Sequence, residues 1–173
     1  STPADPSIGV MDAIARLSFE LQTDSASLLA KTERIVHGTT VATNALLERK
    51  GAKTGLLTTL GHRDVLEMRE GLKDDRYNMR LPPPETLVPR YLRLGVNERM
   101  RADGTVHRKL DTASLNAAIE TLRGAEVTSV AVCYLHAYKD ASHEKETRER
   151  IEAKLPGVSV SLSSEVFPEI KEY

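Results

Sequence analysis

Cysteine, tryptophan and net charge are what this sequence has least of. The 173-residue chain has one cysteine and no tryptophan, and its 24 basic residues nearly balance 25 acidic ones. A single cysteine, Cys133, excludes an internal disulfide, so the cytoplasm is the simplest compartment. A net charge of −1 gives no field to hold nucleic acid or a charged membrane surface. Neither a signal peptide nor an apolar run long enough to cross a bilayer is present.

The sequence is rich in aliphatic residues. Hydrophobic residues make up 40% of the chain and aromatic residues only 4%, which favours aliphatic layers of helices on a sheet. Strand and helix patterns alternate, and Asp103-Gly104 marks one hairpin turn. We therefore predict a single α/β domain over residues 1–173, with a mixed sheet, helices on its faces and one antiparallel hairpin. The first residue is not methionine, and we expect the sequence to be a fragment of a longer protein.

Apolar spacing predicts the order of the elements. The expected helices lie within residues 7–21, 25–31, 40–50, 62–69, 111–124 and 141–155. The expected strands are 35–37, 53–59, 127–135 and 158–162, and the hairpin joins 91–100 to 105–110. Strands 35–37 and 53–59, with the helix between them, would form a parallel β-α-β unit. In that unit the polar residues after both strands would lie at the same edge of the sheet.

A polar cluster follows the first expected strand. It begins at the strand end and continues into the helix, and it contains His37, Gly38, Thr39, Thr40, Thr43 and Asn44. The threonines are either simple helix caps or donors that bind a phosphate or carboxylate, and His37 is either a structural hydrogen-bonding group or a ligand-facing acid or base. The stretch is neither a Walker P-loop nor a dinucleotide fingerprint, because the further glycines and the Lys-Ser/Thr pair are missing.

A second set of candidates follows the strand at 53–59. Asp64 is either a first-turn carboxylate that complements a helix dipole or part of a site, and Arg69 begins a charged segment that is either a solvated loop, a lid or a subunit contact. The single cysteine is expected to pack as a small hydrophobe rather than act as a nucleophile. The histidines show no zinc-binding spacing, and no serine nucleophile elbow is present.

Several blocks of the sequence closely resemble the N-terminal region of the hydantoinase A/5-oxoprolinase family. The most specific are Ile35–Gly51, with the letters IVHGTTVATNALLERKG, and Thr58–Glu67, with TTLGHRDVLE. The resemblance continues through Asp75–Asn78, Leu87–Arg90, the hairpin and Ser161–Val166, and so covers nearly the whole chain. Members include N-methylhydantoinases, 5-oxoprolinases, lactam hydrolases, and acetone and acetophenone carboxylases.

The resemblance implies an actin-like, ribonuclease H-like ATPase architecture that uses ATP and Mg to phosphorylate an amide or enolate oxygen. It implies a B-type partner subunit and an oligomer. The family's Gly-Gly-Thr-Phe-Thr-Asp phosphate loop would precede Ser1, so the nucleotide and Mg sites are expected mostly outside this segment, which alone would be inactive. The resemblance places His37, Gly38, Thr39, Thr40, Thr43 and Asn44 in the reactive cleft. His37 is the expected catalytic proton donor, and Asp64 and Arg69 complete the expected substrate and phosphate contacts.

Two activities and one non-catalytic role remain open at the level of sequence. The first is ATP-dependent ring opening of a cyclic amide such as a hydantoin, oxoproline or lactam. The second is ATP-dependent carboxylation of a ketone, which needs the same phosphorylation step. The third is a docking domain that binds a partner subunit without taking part in chemistry.

Overall fold

The computed structural model describes residues 5–38, 40–68, 71, 75, 77–82 and 85–171. Two compact units make up the chain, residues 1–44 and residues 45–173. The predicted single domain over residues 1–173 stays a prediction. No helix of the described residues is long and apolar enough to cross a membrane.

The first unit is helical. It contains α1 (Pro6–Glu20), α2 (Ser25–Ala30) and the start of α3 (Val41–Leu47), which continues into the second unit. Asp5 and Asp24 cap the first two helices, each accepting a hydrogen bond from a backbone N–H at 2.9 Å. All three helices were predicted from the sequence. Residues 31–38 between α2 and α3 carry no regular helix or strand.

The second unit is built on a four-stranded parallel sheet. Its strands are β1 (Thr54–Thr59), β2 (Arg93–Val96), β5 (Ser129–Cys133) and β6 (Ser159–Leu162), in the order β2-β1-β5-β6. Leu57 of β1 pairs with Leu94 on one side and Val132 on the other, and Val132 pairs with Leu162. The α/β class is confirmed, but the expected single mixed sheet is wrong, because all four strands run parallel and the antiparallel pair forms a separate sheet.

The predicted strand at residues 35–37 is absent, and with it the predicted β-α-β unit. A strand offers two hydrogen-bonding edges, and β2 and β5 occupy both edges of β1. Ile35 and Val36 are 58% and 85% exposed, so these apolar side chains add nothing to the core of the chain. The pairing that would have placed Thr40 beside the end of β1 is therefore not formed.

The antiparallel hairpin is shorter than predicted. It joins β3 (Arg99–Met100) to β4 (Val106–Arg108), and Gly104 in the turn has φ +86°, where only glycine is unstrained. The first half of the expected hairpin strand instead forms β2 in the parallel sheet. Alternating apolar residues over 91–100 thus mark two short strands with different partners.

Helices cover the sheet and close the core. The remaining elements are α4 (Val65–Met68), a 3-10 helix (Arg90–Leu92), α5 (Thr112–Gly124), α6 (Ser142–Lys154) and α7 (Ser163–Val166). Helix α5 buries Leu115, Ile119 and Leu122 in a core shared with the strands. Helix α6 follows the predicted charged pattern, but its buried residues are largely polar: His143, Glu144, Thr147 and Ile151.

Candidate functional site

The loops after the four parallel strands leave the sheet at the same edge, which is where open α/β sheets place their ligands. In the second unit this edge carries polar side chains that are fixed by the fold. Thr59 ends β1, Glu98 lies just beyond β2, and His143 begins the helix after β5. All three are buried.

These three residues form one hydrogen-bonded chain. The backbone N–H of Leu135 donates to Oγ1 of Thr59 at 3.0 Å, and the Thr59 hydroxyl donates to Oε1 of Glu98. Nδ1 of His143 lies 2.8 Å from Oε2 of Glu98. Since an ionised carboxylate only accepts, Nδ1 of His143 is assigned the proton, and Nε2 is the nitrogen left to exchange one. A carboxylate paired with Nδ1 in this way orients an imidazole for proton transfer or binding.

Glu144, the next residue of α6, ties the same edge together. It is fully buried, and its carboxylate accepts hydrogen bonds from the Tyr134 N–H, the Ser163 hydroxyl and the Ser164 N–H at 2.7–3.1 Å. The charge of Glu144 is therefore met by three donors from the ends of β5 and β6. This arrangement is structural, and it explains why a helix with so few apolar residues packs against the sheet.

His62 and Arg99 lie on the more accessible side of the edge. His62 follows the end of β1, and its Nε2 lies 2.9 Å from a terminal nitrogen of Arg99. Burial, and after it the positive charge of Arg99, lower the pKa of His62 below its usual 6.5, while Glu98 opposes the shift. Nε2 of His62 thus accepts the arginine hydrogen bond in the neutral imidazole form.

Beside this pair lies a cavity of about 450 Å³. The hairpin and the loop after β5 line it with Arg99, Met100, Arg101, Ala102, His107 and His136. Four of these six side chains are basic, and Met100 is buried beneath them. Within the described part of the chain, no group of three His, Cys, Asp or Glu side chains is arranged to hold a metal ion.

The residues predicted to bind substrate or phosphate lie mostly in the first unit. His37, Gly38, Thr40, Thr43 and Asn44 are all exposed there. The N–H of Asn44 donates to the carbonyl of Thr40 at 2.7 Å in the first turn of α3, a helix of seven residues. Thr39 and Arg69 lie outside the described residues. The assignment of this block to a reactive cleft stays a prediction.

Asp64 lies in the second unit and is held by arginine. Nε and a terminal nitrogen of Arg90 donate to its two carboxylate oxygens at 2.9 and 3.1 Å. The Arg90 hydrogen bond lowers the pKa of Asp64 below its usual 3.8. Asp64 also lines an open groove of about 630 Å³ between α5 and the loop after β1, with Gly61 and Gly95. The Asp64 carboxylate therefore binds the loop after β1 to Arg90, and Asp64 also lines the groove.

Sequence reasoning missed the residues that the sheet edge brings together, Glu98, Arg99 and His143. The hairpin prediction placed Glu98 and Arg99 within one long strand, and His143 was considered only as an isolated histidine. The available signal was the position of each residue just beyond a strand, together with a carboxylate and an imidazole on different loops.

The fold defines an α/β protein whose parallel sheet carries polar side chains at its carboxyl edge. Within that class the chain belongs to the hydantoinase/oxoprolinase family, since residues 1–155 match the family's N-terminal region. The resemblance noted in the sequence is thereby confirmed.

Caprolactamase subunit alpha from Pseudomonas jessenii is 40% identical over 175 residues, which include 100% of this chain and 25% of that protein. The crystal structure of this ATP-dependent caprolactamase matches the whole chain with a TM-score of 0.87. The gamma subunit of acetophenone carboxylase from Aromatoleum aromaticum is 33% identical over 100% of this chain and 25% of its own length.

A nucleotide-free structure of acetone carboxylase, an enzyme of ATP-dependent acetone carboxylation, matches 99% of this chain with a TM-score of 0.88 and 26% identity. That match covers 26% of the acetone carboxylase chain. The chain thus spans about a quarter of the length of each relative. These relatives are a caprolactamase subunit, an acetophenone carboxylase subunit and an acetone carboxylase.

Proposed function

We propose that this chain is a segment of an ATP-dependent amidohydrolase subunit that activates a cyclic amide for ring opening. The observation that carries the proposal is the likeness to caprolactamase, at 40% identity and a TM-score of 0.87 over the whole chain. The acetone carboxylase structure reaches a similar TM-score at only 26% identity. The substrate class is a hydantoin, an oxoproline or a lactam.

The proposed reaction transfers the terminal phosphoryl group of ATP to the amide oxygen. The carbon becomes electrophilic, a first water adds to it, and the ring C–N bond breaks to leave an amine and an acyl phosphate. A second water then hydrolyses the acyl phosphate to the carboxylate and phosphate. Phosphoryl transfer depends on donors that are already placed around the developing negative charge. The hydroxyls of Thr40 and Thr43 and the amide of Asn44 are donors of this kind, and His37 is the proposed proton donor to the activated oxygen.

ATP and Mg are the proposed cofactors, in an actin-like architecture that the complete subunit would form. Most of the ATP and Mg contacts are assigned outside this segment, because the family's phosphate loop would precede Ser1. The segment alone is then inactive. A B-type subunit is the proposed partner, in a cytoplasmic oligomer, because the relatives are named as subunits of larger enzymes.

A ketone carboxylase is the second candidate, favoured by the 33% identity to the acetophenone carboxylase subunit over the whole chain. Both candidates need a phosphorylated oxygen, of an amide in one case and of an enolate in the other. They differ in the second substrate, since ring opening consumes water and carboxylation consumes bicarbonate.

The test is an assay of the longer subunit with its B-type partner. ATP hydrolysis is measured against hydantoin, oxoproline, caprolactam, acetone and acetophenone, each with and without isotopically labelled bicarbonate. Stimulation by a cyclic amide without bicarbonate supports the hydrolase, and label entering a ketone product establishes the carboxylase instead. If no amide and no ketone stimulates hydrolysis, the proposed substrate classes are wrong.

His37 and Thr40 are tested in the same assay. His37→Ala and Thr40→Ala should each lower amide-stimulated turnover, with about 10²-fold or more expected for a lost acid or oxyanion donor. Arg150→Gln is the matched control, because among the described residues Arg150 forms its ion pair with Glu146, one turn away in α6. Unchanged turnover in both alanine variants would remove this block from the reaction.

A further inference from the structure

The cavity beside the hairpin is lined largely by basic side chains. Asp103 in the hairpin turn is not among its described lining residues, although hydrogen bonds from Thr105, and after them the charge of Arg101, lower the pKa of Asp103. Among its lining residues, Arg99 and Arg101 carry permanent charge, and His107 and His136 add imidazole nitrogens. No aspartate or glutamate is among the lining residues. Arg101 and His107 are exposed and Arg99 is half-buried, so desolvation bears mainly on Arg99, whose charge favours an accompanying anion.

The two arginines contact imidazoles instead of carboxylates. Arg99 contacts Nε2 of His62 at 2.9 Å, and Arg101 contacts Nδ1 of His107 at 3.1 Å. Within the described ranges neither arginine forms an ion pair, whereas Arg90 and Arg148 each hold a carboxylate with two hydrogen bonds. Each guanidinium has five N–H donors, so most donors of Arg99 and Arg101 remain available to a ligand.

The cavity is also preorganised by the fold. Arg99 and His136 follow the carboxyl ends of β2 and β5, at the ligand-binding edge of the parallel sheet. His136 has φ +62°, a left-handed conformation that costs energy in a residue with a side chain and is concentrated at functional sites. Buried Met100 forms an apolar floor below the charged groups.

We propose that the Arg99–Arg101 cavity binds a small phosphate dianion. Two permanent charges match the dianion, and planar guanidinium forks match the geometry of phosphate oxygens. Because Nδ1 of His107 accepts from Arg101, its Nε2 carries the proton and supplies a further N–H donor. The low-dielectric floor strengthens each of these interactions relative to open water. This site is distinct from the His37–Asn44 block, and it does not depend on whether the longer protein is a hydrolase or a carboxylase.

The experiment is calorimetric titration of the 173-residue chain with inorganic phosphate at low ionic strength, with sodium acetate as a monoanionic comparison. We expect saturable binding at one site, tighter for phosphate than for acetate. Arg99→Gln and Arg101→Gln should each weaken phosphate binding about tenfold or more, as expected for loss of a charge-assisted hydrogen bond. Arg150→Gln, outside the cavity, should leave it unchanged.

The controls separate a lost ligand contact from a folding defect. Arg101 is exposed, and among the described residues its side chain hydrogen-bonds to His107, so Arg101→Gln should fold like the parent, and thermal unfolding checks this. Arg101→Lys keeps the charge and should recover part of the affinity. Absence of saturable phosphate binding, equal affinity for acetate, or full affinity in both glutamine variants would each overturn the proposal.

Discussion

Glu98 shows how one buried carboxylate can hold a sheet edge together. It is 2% exposed and accepts from both the Thr59 hydroxyl and Nδ1 of His143. The residue lies two positions beyond β2, yet its partners come from β1 and α6. Removing the Glu98 carboxylate would cost stability mainly because two buried donors would lose their acceptor.

Glu98→Ala should therefore lower the free energy of unfolding by about 3 kcal/mol, from the unsatisfied hydroxyl and imidazole and the small cavity. Glu98→Gln should lower it less, because its amide oxygen still accepts from one donor. Chemical denaturation measures both. Glu120→Ala is the control, with Glu120 49% exposed in a surface pair with Arg123, and it should change stability by no more than about 0.5 kcal/mol. A similar small effect for Glu98→Ala would contradict the structural role.

The pKa of His62 reports directly on Arg99. Because burial and then the Arg99 charge lower it, Arg99→Met should raise the pKa of His62 towards its usual value of 6.5. An NMR titration of the His62 ring proton measures the change. Arg99→Lys retains the charge and should keep the pKa lowered, and an equal rise in Arg99→Lys would show that charge is not the cause.

The same shift sets the sign of a pH effect on stability. The folded-state pKa of His62 lies below its unfolded value, so the unfolded chain binds more protons between the two. The contribution of His62 to stability is thus complete above the unfolded pKa and is lost as pH falls through that window. Arg99→Met should narrow the pH interval between the folded and unfolded pKa values of His62. The denaturation midpoint of this variant should therefore depend less on pH in that interval than the midpoint of the parent.

At the scale of elements, β1 and α5 meet through a glycine. A Cβ at Gly55 would lie 2.5 Å from Cδ2 and 3.0 Å from Cδ1 of Leu122, which is fully buried in the core. Gly55→Ala should destabilise the protein by about 1–3 kcal/mol, since the overpacked leucine must move within a filled core. Thermal or denaturant unfolding tests the expectation.

Gly124, at the end of α5, is the matched control. A Cβ there meets nothing within 4 Å, and its φ is not in the left-handed region. Gly124→Ala should be neutral or stabilising by up to about 1 kcal/mol, because alanine favours the helix and restricts the unfolded chain. If Gly55→Ala were equally well tolerated, the close packing of β1 on Leu122 would not limit this interface.

The sequence predicted the helices and the strands with strong local signals. Asp24 and Asp111 cap helices that begin close to the predicted positions, and Asp103-Gly104 forms the predicted hairpin turn. The predictions were wrong where the strand that a segment pairs with determines its structure. Val36 lies in an apolar run but has no strand beside it, and 91–96 alternates like a hairpin strand but pairs in parallel with β1. Local periodicity predicts a strand conformation and does not identify the neighbour.

The candidate site was less predictable than the fold, for the same physical reason. Glu98 and His143 are 45 residues apart, and only the parallel order of β1, β2 and β5 brings them within 2.8 Å. The block from His37 to Asn44 was recognised from its resemblance to a family, whose membership the comparison confirms. The catalytic role of the His37–Asn44 block stays a prediction, because no described contact tests it.

At the scale of the whole molecule, the two units differ in how much they bury. Among the described residues 5–44 only Ser18 is buried, and Leu17, Phe19 and Leu21 of the first helical segment are 48–79% exposed. The second unit contains all of the buried hydrophobic residues of the described chain. Stability against local opening follows buried apolar contact, so the two units should open at different free energies.

Native-state hydrogen exchange of the 173-residue chain tests this difference. Amides of α1 should exchange well before those of β1 and β5, and α5 is the matched helical control. It has 13 residues against 15 in α1, but it buries Leu115, Ile119 and Leu122. Helix propensity alone makes an isolated helix of this length marginal in water, so protection must come from packing. Equal protection of α1 and α5 would mean that the exposed apolar residues of α1 are covered in solution. Rapid exchange confined to the first unit would instead identify 45–173 as the stable core on which the longer protein is built.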